Sequence, residues 1–205
     1  MSVVEGKSRV FSILGRALSY PDQDLVNDLA AGGLGEELAA AFTPFSSNGI
    51  LHQLASLKST DEKVYPSDVL LQLEKDYTWM CFASKPRLVY LFESIYKEGK
   101  LFQESTFQIA RLYRDAGLEW VSEFQLPPDH IAMELEFMAY LCFCETEGVR
   151  TGDREKEEYA RRLQTEVLKK HLRPFGLAFS ERMEKHAKTD FYRLVARVLS
   201  AMLKN

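Results

Sequence analysis

The stretch that most constrains this chain is Leu126-Pro127-Pro128-Asp129, followed by the apolar run 131–144. Paired prolines make a sharp entry, and Asp129 is well placed to cap a helix at its positive end. The run is apolar on nearly every side, although it contains Glu134 and Glu136. A helix over 129–147 of that character has to be surrounded by other helices. It is also too short and too charged for a membrane span, which needs roughly 20 apolar residues. Gly148 is the expected stop.

The rest of the chain reads as helices divided by short punctuation. The first closes before Tyr20-Pro21, and Pro21-Asp22 opens a second that stops at Gly32-Gly33. Short helices over 36–42 and 49–57 are divided by the breaker cluster Thr43-Pro44-Phe45-Ser46-Ser47. A longer helix over 66–83 is broken at Lys85-Pro86. Residues 88–92 suit a strand by composition but have no partner strand, so they read as a loop with a helical turn. Further helices are expected over 104–116, from the Asp153 cap toward His171, and over 189–204, with a break at Pro174. With 11 glycines and 7 prolines, the chain has too few turn residues for a sandwich or barrel. The expectation is all-α, one domain over 1–205, a bundle of roughly nine or ten helices.

Composition narrows the function. At 46% hydrophobic the chain is not disordered, and a net charge of −4 opposes nucleic-acid binding, which requires a basic face. The same charge is compatible with a partner that brings positive charge. Three cysteines make no disulfide framework, and the N-terminus shows an amphipathic helix where a secretory signal would need a continuous apolar stretch. A cytoplasmic protein without stable membrane insertion is expected.

Enzyme signatures are scarce. The chain has no phosphate-binding loop, no Gly-x-Ser-x-Gly and no His-Glu-x-x-His. Cys142 and Cys144 lie on opposite sides of one helix and cannot chelate one ion from it, so no metal, cofactor or catalytic residue is assigned. His130 and Glu134 share a helix face at i, i+4: either a carboxylate–imidazole site or a capped helix start with a satisfied histidine. With Asp129 they could serve a small phosphate- or metal-dependent hydrolase. Trp79 and Phe82 project from the polar side of the 66–83 helix, so they are either covered by another segment or exposed as a binding anchor. Tyr90, Phe92 and Tyr96 follow, with Glu93 among them. Aromatics mixed with acids suit an apolar peptide that carries basic residues.

The stretch Leu126-Pro127-Pro128-Asp129-His130 through Met138 resembles the Pro-Asp-His motif and following helix of the TorD/DmsD/NarJ family. Glu74-x-x-Tyr77, Glu93-Ser94-Ile95-Tyr96 and His171-Leu172-Arg173-Pro174-Phe175 resemble further motifs of that family, in the same order. The resemblance covers roughly residue 70 to the C-terminus. It implies an all-α, non-enzymatic cytoplasmic chaperone for molybdenum-containing redox enzymes. Such a chaperone binds the twin-arginine leader and the apo catalytic subunit until the molybdopterin cofactor is inserted. The positions it carries over are Trp79, Phe82, Phe92, Tyr96, Pro128, Asp129 and His130. Glu93, Asp129 and Glu134 are the acids placed to meet the leader's arginines. One departure is Leu91-Phe92, where family members commonly have proline followed by tyrosine or tryptophan. A guanine nucleotide is a ligand of some members, which no motif here supports or excludes. Both monomers and helix-swapped dimers occur among them. A generic helical adaptor with no redox client is the remaining reading.

Overall fold

The computed structural model describes residues 2–45, 48–55, 57, 65–119 and 126–205. Within them the chain is α-helical throughout: α1 (Val3–Leu18), α2 (Gln23–Ala30), α3 (Gly33–Phe42), α4 (Asn48–Ala55), α5 (Pro66–Thr78), α6 (Glu93–Glu98), α7 (Glu104–Asp115), α8 (Ile131–Thr151), α9 (Arg154–Val167), α10 (Arg173–His186) and α11 (Asp190–Lys204). A π-helical turn, Leu168–Leu172, joins α9 to α10, so 154–186 is one unbroken rod and the segments form ten separate helices. The expected all-α bundle is what forms. The only β feature among the described residues is an isolated antiparallel bridge between Phe92 and His130.

The central helix is enclosed as its composition requires. α8 packs against α1 on one side and α9 on another, and α10 packs on α11. Phe11, Leu14, Leu135, Met138, Phe175, Phe179, Tyr192 and Leu199 belong to one continuous buried cluster. Burying a single such side chain contributes roughly 1.5–3 kcal/mol, which is why helices with modest intrinsic propensity hold together here.

Three boundaries differ from the sequence expectation, each for a physical reason. α8 starts two residues later, at Ile131, because His130 and not Asp129 is its cap: the His130 Nδ1 accepts from the Ala132 amide at 3.2 Å. It also runs through Gly148 to end at Gly152, which takes a left-handed conformation at φ 73°. Gly148 serves close packing instead, since a β-carbon there would meet the Glu157 amide nitrogen at 2.8 Å. Pro174 causes no break, because the π turn Leu168–Leu172 carries the helix up to it and the Lys170 carbonyl, four residues earlier, accepts instead from Lys97 Nζ at 2.6 Å. Ser46 and Ser47 of the expected breaker lie outside the described residues; Thr43–Phe45 forms a 3-10 turn.

The helix expected to reach residue 83 changes character at Trp79. Residues Trp79–Ala83 form a π turn, closed by the Ser84 amide on the Trp79 carbonyl at 3.3 Å. The Met80 carbonyl is taken by the amides of Leu88 and Val89 at 3.2 and 3.1 Å, which ties the loop 84–92 to this turn. Both π turns carry residues singled out by motif, Trp79 and Phe82 on one and His171 on the other.

Candidate functional site

The Pro-Asp-His stretch and the Glu-Ser-x-Tyr stretch meet through main-chain bonds. The Glu93 amide donates to the Asp129 carbonyl at 2.9 Å, and the Ile131 amide to the Leu91 carbonyl at 2.8 Å. The Asp129 carboxylate accepts the Ser94 amide at 3.0 Å, so it caps α6 from across the chain. Phe92 and His130 stack edge to face, with ring centroids 5.3 Å apart. Six of the nine candidate residues, Phe92, Glu93, Pro128, Asp129, His130 and Glu134, therefore form one junction. Tyr96 lies one turn further along α6, between Tyr90 and Phe175.

The junction's charged groups face inward. Glu93, Asp129, His130 and Glu134 are each at most 2% exposed, so none presents its charge to a surface partner in this conformation. Glu93 is held by Lys97 Nζ at 2.8 Å and by His171 Nδ1 at 3.0 Å. A proton on Nδ1 suits that contact. Lys97 reaches back to the Lys170 carbonyl at 2.6 Å, closing the junction against the second π turn. Glu134 has no donor near either oxygen, and Asp129 Oδ1 is likewise unpartnered. Burial, followed by the charges of Glu93 and Asp129, holds Glu134 in its protonated form well above the usual carboxylate range. As a neutral acid it stands buried beside the carboxylates of Glu93 and Asp129. Burial alone pushes His130 down to about 4, so it is a neutral ring.

Beside this junction lies a groove of about 810 Å³ between α7 and α8. Phe102, Phe107, Tyr113, Met133, Phe137 and Tyr140 supply its apolar walls, and Pro128 joins it to the junction. The Tyr113 hydroxyl donates to the Pro128 carbonyl at 2.7 Å and holds that edge in place. Phe102 and Phe107 are more than half exposed at the rim. Phe102 sits at φ 57°, a left-handed conformation that is strained for a bulky residue. Arg111, Arg114, Glu119 and Glu136 complete the lining, and none is ion-paired to another described residue. The groove was not legible in the sequence, because its walls come from separate helices and Phe102 falls at no helical period. Lys97 was legible as an i, i+4 partner of Glu93; His171 was visible only within its motif.

The other candidates sit apart from the groove. Trp79 and Phe82 are 42% and 48% exposed on the first π turn, so the open alternative about them resolves toward exposure. Among the described residues no group of three or more His, Cys, Asp or Glu is placed to hold a metal ion, and no helix is long and apolar enough to cross a membrane. Burial pushes the Cys81 and Cys142 thiols up to about 12.

The all-helical fold is one already seen in crystals. A structure from Archaeoglobus fulgidus, described as a candidate redox enzyme maturation protein, matches 98% of this chain and 94% of its own, with a TM-score of 0.59 and 22% identity. At that identity the likeness is one of fold. Residues 46–181 match the nitrate reductase delta subunit family, and the chain belongs to it, within the wider TorD/NarJ group of redox enzyme maturation chaperones. The chaperone protein TorD of Escherichia coli O81 (strain ED1a) is 24% identical over 157 residues, covering 77% of this chain and 70% of that protein. TorD of Escherichia coli O45:K1 (strain S88 / ExPEC) is 29% identical over 101 residues, 49% of this chain and 45% of that one.

Proposed function

We propose that this protein is a cytoplasmic maturation chaperone that binds the twin-arginine leader and the apo catalytic subunit of a molybdopterin-containing oxidoreductase, and releases it for export after the cofactor is in place. The observation that carries this reading is the groove. It is large enough for the apolar stretch of a leader, and the carboxylates of Glu119 and Glu136, which have no ion-pair partner among the described residues, are available to its arginines. Pro128 lines the groove directly. Asp129, His130, Glu93 and Glu134 act through position, by locking Phe92 and Pro128 in place. Trp79, Phe82 and Tyr96 extend the binding surface toward the body of the client.

Calorimetry with synthetic leaders from the molybdoenzymes of the same organism tests this. Binding at micromolar affinity or tighter is expected with at least one leader. Asp129→Ala should weaken it without loss of helicity, and absence of heat with every leader sinks the proposal. Catalysis by Asp129, His130 and Glu134 is the less favoured reading, since all three are buried away from any substrate at the surface.

A further inference from the structure

The charges that line the groove are divided between its walls. Arg111 and Arg114 stand on α7, and Glu136 stands on α8. Glu119 follows the turn at Gly117, beyond the end of α7. All four reach solvent, and no ion pair crosses the groove among the described residues, so the opposite charges are held apart. Apolar side chains such as Ala110, Met133 and Phe137 line the space between them. Glu136 is placed by α1. A β-carbon on Gly15 would meet the Glu136 Oε1 at 2.7 Å, its Cγ at 3.0 Å and its Cδ at 3.1 Å, so the glycine is what lets this side chain lie against α1. Gly15 sits inside α1 without a positive φ, and a glycine there costs helix stability relative to alanine. The backbone does not ask for it; the room left to Glu136 is what it provides. Partial burial raises the Glu136 carboxyl above the ordinary carboxylate range, and no cation offsets it.

We infer that the groove selects its leader by the two edges of the apolar segment: a basic residue on one edge meets Glu136, seated by Gly15, and an acidic residue on the other edge meets Arg111 and Arg114. The inference rests on the leader reading for the source of the segment, and it adds an acidic requirement that a leader's arginines do not satisfy. Opposite charges on separate walls cannot neutralise each other. Each gains a charge-assisted hydrogen bond only from a ligand that spans the groove with matching charges. A segment with bases on both edges sets one of them against Arg111 and Arg114, and a segment with acids on both sets one against Glu136. Repulsion discriminates against either. Gly15 and Glu136 are thus specificity-determining residues, and Gly15 acts only through the side chain it makes room for.

The test uses the full chain and four 18-residue helical peptides that share one Leu and Phe face. The split peptide has Lys on one edge of that face and Glu on the other; the second has the same residues intermixed on both edges. The third has Lys on both edges and the fourth Glu on both. In calorimetry the split peptide should bind at least tenfold more tightly than each of the others. Glu136→Lys should move the preference to the all-Glu peptide, and Arg111→Glu with Arg114→Glu should move it to the all-Lys peptide; circular dichroism checks the fold. Gly15→Ala should weaken the split peptide severalfold without lowering Tm, an effect that a merely structural glycine would not show. Equal binding of the split and intermixed peptides overturns the inference, as does a preference that ignores the variants or the absence of binding by all four. Unchanged affinity in Gly15→Ala overturns the role given to that residue. The leader reading fails separately, by absence of heat with every leader; leader binding that persists unchanged in both charge variants sinks the edge selection alone.

Discussion

The groove between α7 and α8 and the face around the first π turn are both apolar and aromatic, yet the first is lined by charges of both signs and the second by cations. In the groove two carboxylates without ion-pair partners among the described residues, Glu119 and Glu136, stand beside the rings with Arg111 and Arg114. On the π-turn face a cation lies against each of the Trp79 and Phe82 rings, and neither has a counter-ion among the described residues. Aromatic content therefore says little about which partner a surface accepts. The charge laid beside or over the rings decides it, because apolar contact is non-directional and charge pairing is not.

The two surfaces share one support. Pro128 edges the groove, and Phe92, bridged to His130, ends the loop that carries Arg87 and Tyr90. The largest expected effect therefore lies in the buried junction. His130 is neutral in the fold, with its pKa lowered from 6.5 to about 4, so its stability contribution is full above pH 6.5 and is lost as pH falls toward 4. That loss amounts to as much as about 3 kcal/mol. Glu134 has the opposite sign: its folded-state pKa lies above the unfolded value near 4.5, so stability falls as pH rises past that value. Urea unfolding of the protein and of Glu134→Gln across pH 4–9 should show the alkaline decline reduced in the variant. If acidification weakens binding at one surface and spares the other, they do not share this support.

An intermediate effect separates the surfaces directly. Ala110 lines the groove from α7, and Ala110→Arg should obstruct it. Leader affinity is expected to fall tenfold or more, about 1.4 kcal/mol, with binding of the leaderless client unchanged. A loss at both surfaces would merge them into one site.

The smallest effect concerns Phe102. Phe102→Gly relieves the left-handed conformation at φ 57° but removes a rim ring, so stability should stay within about 1 kcal/mol of the parent. Leader binding should weaken severalfold in calorimetry. Unchanged affinity would mean that the rim rings do not contribute.

Much of the fold was legible in the sequence because helix boundaries are local. Pro21-Asp22, Asp153 and Thr189 each mark a helix start within a residue, as capping and proline geometry require. Of the apolar stripe that the spacing predicts, Leu70, Leu73, Tyr77 and Met80/Cys81, all are buried except Leu70, which is half-buried. The misreadings are also instructive. Gly148 reads as a stop when judged by its own turn, whereas α9 approaching it determines its role. Asp129 reads as the cap of the helix after it, whereas it caps α6, 35 residues earlier in the chain.

By itself, the sequence determined an all-helical chain, its main helix starts and the motifs that align with a chaperone family, since all of these depend on residues within a few turns of one another. Only the tertiary structure decided where the charges face. Glu93, Asp129 and Glu134 look like acids awaiting a basic peptide. They turn inward because Lys97, His171 and the start of α8 converge on them from separate elements. The cations of Arg87, Arg182 and Lys188, unremarkable in the sequence, are the charges that the fold lays over exposed rings. Burial is a property of packed neighbours, so the sign of a surface cannot be read from the charges nearest its aromatic residues in the chain.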